Sequence, residues 1–123
     1  MTTAIDTYRR DAVLALPREE LLLRIYDALL LRLHEAEEAV VAGERPRAGK
    51  AISRAFEIVT ALREALDGST GAECVPRLDQ LYRTVSAWLL EANLTQSPAL
   101  LRSSRKVVGK LKDGWNGAVA AAR

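Results

Sequence analysis

Residues 17–43 read PREELLLRIYDALLLRLHEAEEAVVAG, and this stretch decides the fold. Leu22, Tyr26, Leu29, Leu33, Ala36 and Val40 recur four and three positions apart. At 3.6 residues per turn such spacing lays them along one stripe of a helix, the seam by which helices pack in a bundle. Pro17 suits the first turn, where a missing N–H removes no internal bond. Gly43 supplies the stop, because glycine enters the left-handed conformation that closes a helix.

Outward from that segment the same rhythm recurs. After Pro46, residues Ala48, Ile52, Ala55, Val59, Leu62 and Leu66 align, their small members permitting close helix approach, and the turn-rich Asp67-Gly68-Ser69-Thr70-Gly71 follows. From about Ala72 to Leu94 the stripe is Leu78, Leu81, Val85, Trp88 and Ala92, with Tyr82 and Leu89 widening the apolar face and Pro76 in the first turn. Ser97 is placed as an N-cap before Pro98, and Leu101, Val108, Leu111, Trp115 and Ala118 carry the last segment. Gly109, Gly114 and Gly117 each cost about 1 kcal/mol relative to alanine in a helix interior, so tertiary packing must hold this segment and its end should fray. Ahead of Pro17, Ile5 to Leu16 form an apolar arm holding Tyr8, Val13 and Leu14, read as a short helix or an extended strap. Four helices with short connections predict an all-α fold, an antiparallel up-down four-helix bundle over 17–122 with the arm over 1–16, in a single domain spanning 1–123.

Composition supports this and narrows function. At 123 residues, the chain buries a core without needing disulfides or metals. Hydrophobic residues make up 49% but aromatics only 5%, which leaves a composition dominated by helix-forming alanine, leucine, glutamate and arginine. Eighteen basic side chains against sixteen acidic ones give a weak, mixed field, so neither nucleic acid nor an anionic membrane is indicated. Cys74, the only cysteine, excludes an internal disulfide and reads as a small hydrophobe near a helix start. Met1 to Tyr8 lack the layout of a signal peptide, and no apolar run is long enough to span a bilayer, so a soluble cytoplasmic protein without membrane insertion is expected.

Little in the sequence suggests catalysis. One histidine, one cysteine and no phosphate-cradling loop or nucleophile elbow argue against an enzyme. His34 with Glu35, Glu37 and Glu38 evokes the Glu-x-x-His pairs of carboxylate-bridged metal bundles, but Leu31 stands where the glutamate is needed and no second histidine exists. A solvated polar face is the simpler reading. Arg102, Arg105, Lys106, Lys110 and Lys112 make the last segment basic against the single acid Asp113. These cations fall on several sides of the helix without interleaved aromatics, so they read as charges near a helix C-terminus.

One anomaly remains. From Leu21 to Leu33 only Arg24, Asp27 and Arg32 are charged, and a surface helix normally carries a narrower apolar arc. With Leu22, Tyr26, Leu29 and Leu33 in the seam, Leu23, Leu30 and Leu31 must face neighbouring helices or solvent. Either this is the central helix, covered by the arm and both neighbours, or it offers apolar surface to a partner helix, and the pattern leaves both open.

Strings spread along most of the chain resemble the FliS family of flagellar secretion chaperones. They are Tyr8, then Val13 and Pro17 to Leu21, Ile25-Tyr26-Asp27, Leu66-Asp67, Gly71-Ala72-Glu73, Leu78 with Leu81-Tyr82, Leu89-Leu90-Glu91-Ala92-Asn93-Leu94, and Trp115. Leu16 replaces the serine usual before the proline, Val13 to Pro17 is one residue short, and Arg83-Thr84 replaces Asp-Tyr.

The resemblance implies a non-enzymatic bundle that binds the disordered C-terminal segment of flagellin, blocks premature polymerisation and assists delivery to the flagellar export apparatus, with no cofactor. A helical adaptor or regulatory protein for another secretion client is the alternative, and self-association as a homodimer stays open. The client surface is then expected at Tyr8, Val13, Leu14, Leu23, Ile25, Tyr26, Leu30, Leu81, Tyr82, Leu89 and Asn93. Tyr26 and Tyr82 would offer hydroxyls at its rim, and the arm would cover part of the groove until the client arrives.

Overall fold

The computed structural model describes the backbone of residues 4–66 and 74–122, and the side-chain surroundings of residues 20–66 and 75–117. Its helices are α1 (Ala4–Val41), α2 (Arg45–Ala65), α3 (Cys74–Thr95) and α4 (Pro98–Ala122), with no strand among the described residues. Backbones of α1 and α3 each pack against α2 and α4, while the diagonal pairs α1–α3 and α2–α4 make no close backbone approach among those residues. Such a ring of neighbours, joined in chain order by short connections, is the up-down four-helix bundle expected from the spacing.

Local chemistry sets the turns. At the end of α1, Gly43 has φ 74°, and the Glu44 and Gly43 amides donate to the carbonyls of Ala39 and Val40 at 2.9 and 3.1 Å. This pair of bonds satisfies carbonyls the helix would otherwise leave open. The end of α3 repeats the device with Gln96 at φ 54° in glycine's place. There the Ser97 amide reaches the Ala92 carbonyl at 3.3 Å, and Gln96 Nε2 donates to the Asn93 carbonyl at 2.9 Å. Ser97 then caps α4 as expected, its Oγ accepting the Leu100 amide at 3.3 Å. Cys74 opens α3, and the turn expected over 67–71 lies outside the described residues.

Two expectations change. Of the two forms foreseen for the arm, helix is the one found, but Pro17 does not mark a helix start: α1 runs unbroken through it for 38 residues. Pro17 cannot donate to the carbonyl four residues back, so the helix forgoes one bond there and continues among good helix formers. In α3 the buried seam is Tyr82, Val85, Leu89 and Ala92, with Leu78 packed against it. Leu81 and Trp88, expected in the seam, are half-buried on its flank. Both stripes have bundle spacing, and the neighbours of α3 selected the one that carries Tyr82 and Leu89.

Elsewhere the seams stand as read, except that Leu22 and Leu66 at their ends are half-buried against the core rather than within it. Tyr26, Leu29, Leu33, Ala36 and Val40 of α1, Ala48, Ile52, Ala55, Val59 and Leu62 of α2, and Leu101 and Val108 of α4 are buried together. Leu111 and Trp115 pack on that core, while Ala118 lies outside the described side chains. Alanines at Ala36, Ala39, Ala48, Ala51, Ala55 and Ala92 are all buried, which lets helix backbones come close.

Candidate partner-binding surface

The two tyrosines expected at a rim are instead the centre of the core. Tyr26 is 0% and Tyr82 2% exposed. Their hydroxyls hydrogen-bond to each other at 2.5 Å, and the Trp115 indole N–H donates to the Tyr26 oxygen at 2.8 Å. The chain Tyr82–Tyr26–Trp115 thus ties α3, α1 and α4, and spans the diagonal that the backbones leave open. Burial without partners would leave each hydroxyl at a cost of a few kcal/mol, and mutual bonding removes that penalty. Burial raises the Tyr26 pKa above that of an ordinary phenol, with the bonds to Tyr82 and Trp115 opposing the rise. For Tyr82, burial and the bond to Tyr26 both push upward.

Ion pairs between helices account for much of the charge pattern. Arg105 and Arg102 of α4 reach the Glu37 carboxylate of α1 at 2.9 and 3.8 Å, and Lys112 meets Asp27 at 2.5 Å. The basic character of α4 is therefore matched to acids of α1, a use that the linear sequence did not show. Arg63 of α2 bonds Asp79 of α3 at 3.2 Å, and Arg83 bonds the same carboxylate at 2.8 Å. The Arg63 bond, followed by that of Arg83, holds the Asp79 carboxyl below its usual range against a desolvation that pushes it up. His34 pairs with Glu38 at 2.7 Å on an exposed face, and no cluster of potential metal ligands exists among the described residues.

Apolar side chains do remain outside the seam. Leu21 and Leu31 of α1, Val41, and Leu90 and Leu94 of α3 are exposed. Leu90 is 55% and Leu94 79% exposed, one turn apart on α3. Leu90 and Asn93 form one wall of a groove of about 280 Å³, with Ile52, Ser53, Phe56 and Glu57 of α2 as the other. Phe56 packs partly against the core, so the groove runs into the bundle interior. A second groove, of about 380 Å³ between α1 and α4, pairs Leu30 with Arg102, Arg105 and Lys106.

The expected site residues therefore do not form one surface. Tyr26, Tyr82 and Leu89 are sealed in the core. Leu23, Ile25 and Leu81 are half-buried, with Ile25 packed against that core. Leu30 lines the α1/α4 groove and Asn93 the α2/α3 groove, on opposite sides of the ring. Tyr8, Val13 and Leu14 sit on α1, and their side chains lie outside the described set. Phe56 and Leu90, which line the α2/α3 groove, and exposed Leu94 were not among the residues expected at the site. The signal was there in the pair Leu90 and Leu94, four apart and flanking Asn93 on the side of α3 away from the seam.

Fold and surface together define a four-helix bundle with its polar core fully bonded, since every described buried side-chain N or O atom has a partner, and with apolar side chains left over in its grooves. No described helix is long and apolar enough to cross a membrane. A family described as flagellar protein FliS matches residues 1–122, and the chain belongs to that family. It is 38% identical over 88 residues to flagellar secretion chaperone FliSB of Pseudomonas aeruginosa, covering 72% of this chain and 70% of that protein. Flagellar secretion chaperones FliS of Vibrio cholerae and Salmonella typhimurium are similar at 27% over 85 residues and 25% over 106. Those alignments cover 69% and 85% of this chain, and 62% and 78% of the two relatives.

Proposed function

We propose that this protein is a cytoplasmic export chaperone that binds the disordered C-terminal segment of flagellin, prevents its premature polymerisation and assists its delivery to the flagellar type III export apparatus. The role requires no cofactor and no turnover. One observation carries the reading: in a FliS-family bundle, Leu90 stands exposed in the wall of the groove that it forms with Ile52, Phe56 and Asn93, and Leu94 is exposed one turn further along α3. An unfolded tail that folds into an amphipathic helix fits such a groove, with leucine-sized side chains seated between α2 and α3.

The magnitudes are adequate. Burying the exposed parts of Leu90 and Leu94 contributes about 1–2 kcal/mol each. Contacts at Phe56 and at further sites along the chain must supply the rest, because ordering a disordered segment costs roughly 2–5 kcal/mol. Asn93 is exposed at the groove wall and offers both donor and acceptor to client backbone at a helix end. Leu23, Leu30 and Leu81, and Tyr8, Val13 and Leu14 in the first turns of α1, extend the client surface in this proposal. Tyr26, Tyr82, Ile25 and Leu89 act through the core that shapes it.

Calorimetric titration with a flagellin C-terminal peptide, with circular dichroism of the mixture, tests this. Saturable binding with a gain in helix is expected. Leu90→Ser/Leu94→Ser should weaken it by tenfold or more, at about 1 kcal/mol per lost leucine contact, without lowering the melting temperature. Deleting residues 1–15 should also change the affinity. Absence of binding by the unmodified chain refutes the flagellin assignment and leaves a different secretion client as the reading.

A further inference from the structure

The concave faces between α1 and α2 and between α1 and α4 both carry mostly positive charge, but Arg102 and Arg105 of the second are paired with Glu37 of α1, whereas no cation of the first reaches an acid of another helix among the described residues. A depression of about 420 Å³ is lined by Arg32 of α1 and by Arg47, Lys50 and Arg54 of α2, with Glu35 the only acid in its wall. Arg47, Lys50 and Arg54 recur three and four apart, a stripe about 10 Å long at 1.5 Å per residue. Glu44 and Glu57 stand three residues beyond its two ends.

These cations are not used to hold the bundle together. Arg63, Arg102, Arg105 and Lys112 each reach a carboxylate on another helix. In the α1/α2 face the only pairs are short-range ones, Arg32 with Glu35 at 3.1 Å and Arg47 with Glu44 at 3.2 Å. Lys50 and Arg54 have no carboxylate within ion-pairing distance among the described residues. Position adds to the anomaly. Arg45 and Arg47 occupy the first turn of α2, which holds no acid, and positive charge there opposes the helix dipole. Folding of the bundle calls for none of this, and residues that break a local rule without structural return mark a surface kept for another purpose.

We propose that the α1/α2 groove is a docking site for a short acidic polypeptide segment of a second protein, separate from the apolar α2/α3 groove and independent of what occupies that one. Carboxylates three and four apart on one helical face match the spacing of Arg47, Lys50 and Arg54. Nucleic acid is disfavoured. Among the described residues no aromatic side chain lines the groove to stack a base, and Glu35 in its wall and Glu44 paired with Arg47 oppose a continuous polyanion.

Fluorescence anisotropy on the full chain tests the proposal with three probes: a labelled helix-forming peptide with glutamates three and four apart, the same peptide with lysines in those positions, and a single-stranded oligothymidine. The glutamate peptide should bind, more weakly as salt is raised, and the lysine peptide should not. Lys50→Gln/Arg54→Gln should lower the glutamate-peptide affinity about tenfold, the sum of two exposed ion pairs. Helix content and flagellin-peptide binding should be unchanged in that variant. Equal binding of the two peptides overturns the proposal, as does an unchanged affinity in the double variant. Tighter binding of the oligothymidine through Lys50 and Arg54 overturns it in favour of a nucleic-acid site.

Discussion

Replacing Tyr26 by phenylalanine removes the one oxygen on which Trp115 and Tyr82 converge. Each net hydrogen bond lost contributes about 1 kcal/mol, and a buried hydroxyl left without a partner adds roughly 1–3 kcal/mol. Tyr82, at 2% exposure, has no water to turn to, whereas half-buried Trp115 keeps some access. Tyr26→Phe should therefore cost about 3–5 kcal/mol, a fall in Tm on the order of 15 °C for a chain of this size. Tyr26→Phe/Tyr82→Phe takes away both partners of the central bond and should cost little more than the single change, because no hydroxyl is stranded. Urea unfolding followed by far-ultraviolet circular dichroism and by indole fluorescence measures all the corners of the cycle. If Tyr26→Phe stays within about 0.5 kcal/mol of the unmodified protein, or the single costs simply add, the tyrosine pair does not hold the core.

Two further outcomes concern stability. Gln96→Gly should stabilise the protein by about 0.5–1 kcal/mol, because glycine takes the φ of 54° without the strain of a side chain, and Gly43→Ala at φ 74° should destabilise it by about 1 kcal/mol; thermal melts decide both. Raising pH should weaken the fold from about pH 10 upward: the phenols of Tyr26 and Tyr82 keep their protons in the folded state while those of the unfolded chain lose theirs, so the unfolded state binds fewer protons and stability falls. Tyr82→Phe should flatten that alkaline slope, and a slope identical to that of the unmodified chain would count against the burial argument.

Much of the architecture was legible because it depends on local rules. The seam of α1 at Tyr26, Leu29, Leu33, Ala36 and Val40, the stop at Gly43 and the cap at Ser97 each follow from spacing or from one residue's backbone chemistry. In α3 the periodicity admitted two stripes one residue apart, and only packing against α2 and α4 chose between them. That choice moved Tyr82 and Leu89 inward and left Leu90 and Leu94 exposed, so the candidate client surface was the part least readable in advance. Pro17 misled for a related reason. Its ring permits a helix start without requiring one, and a long helix can bypass a single missing bond.

By itself the sequence determined the number of helices, their order, most of the core and the family, because periodicity, caps and short motifs are properties of neighbours along the chain. Tertiary structure alone decided that Tyr26 and Tyr82 meet Trp115 inside the bundle, that Arg102, Arg105 and Lys112 are matched by acids of α1, and that Lys50 and Arg54 are left unmatched. Those facts depend on distances between residues far apart in sequence. Such distances are set by how four helices rotate about their axes to close one core, and no local pattern records that rotation.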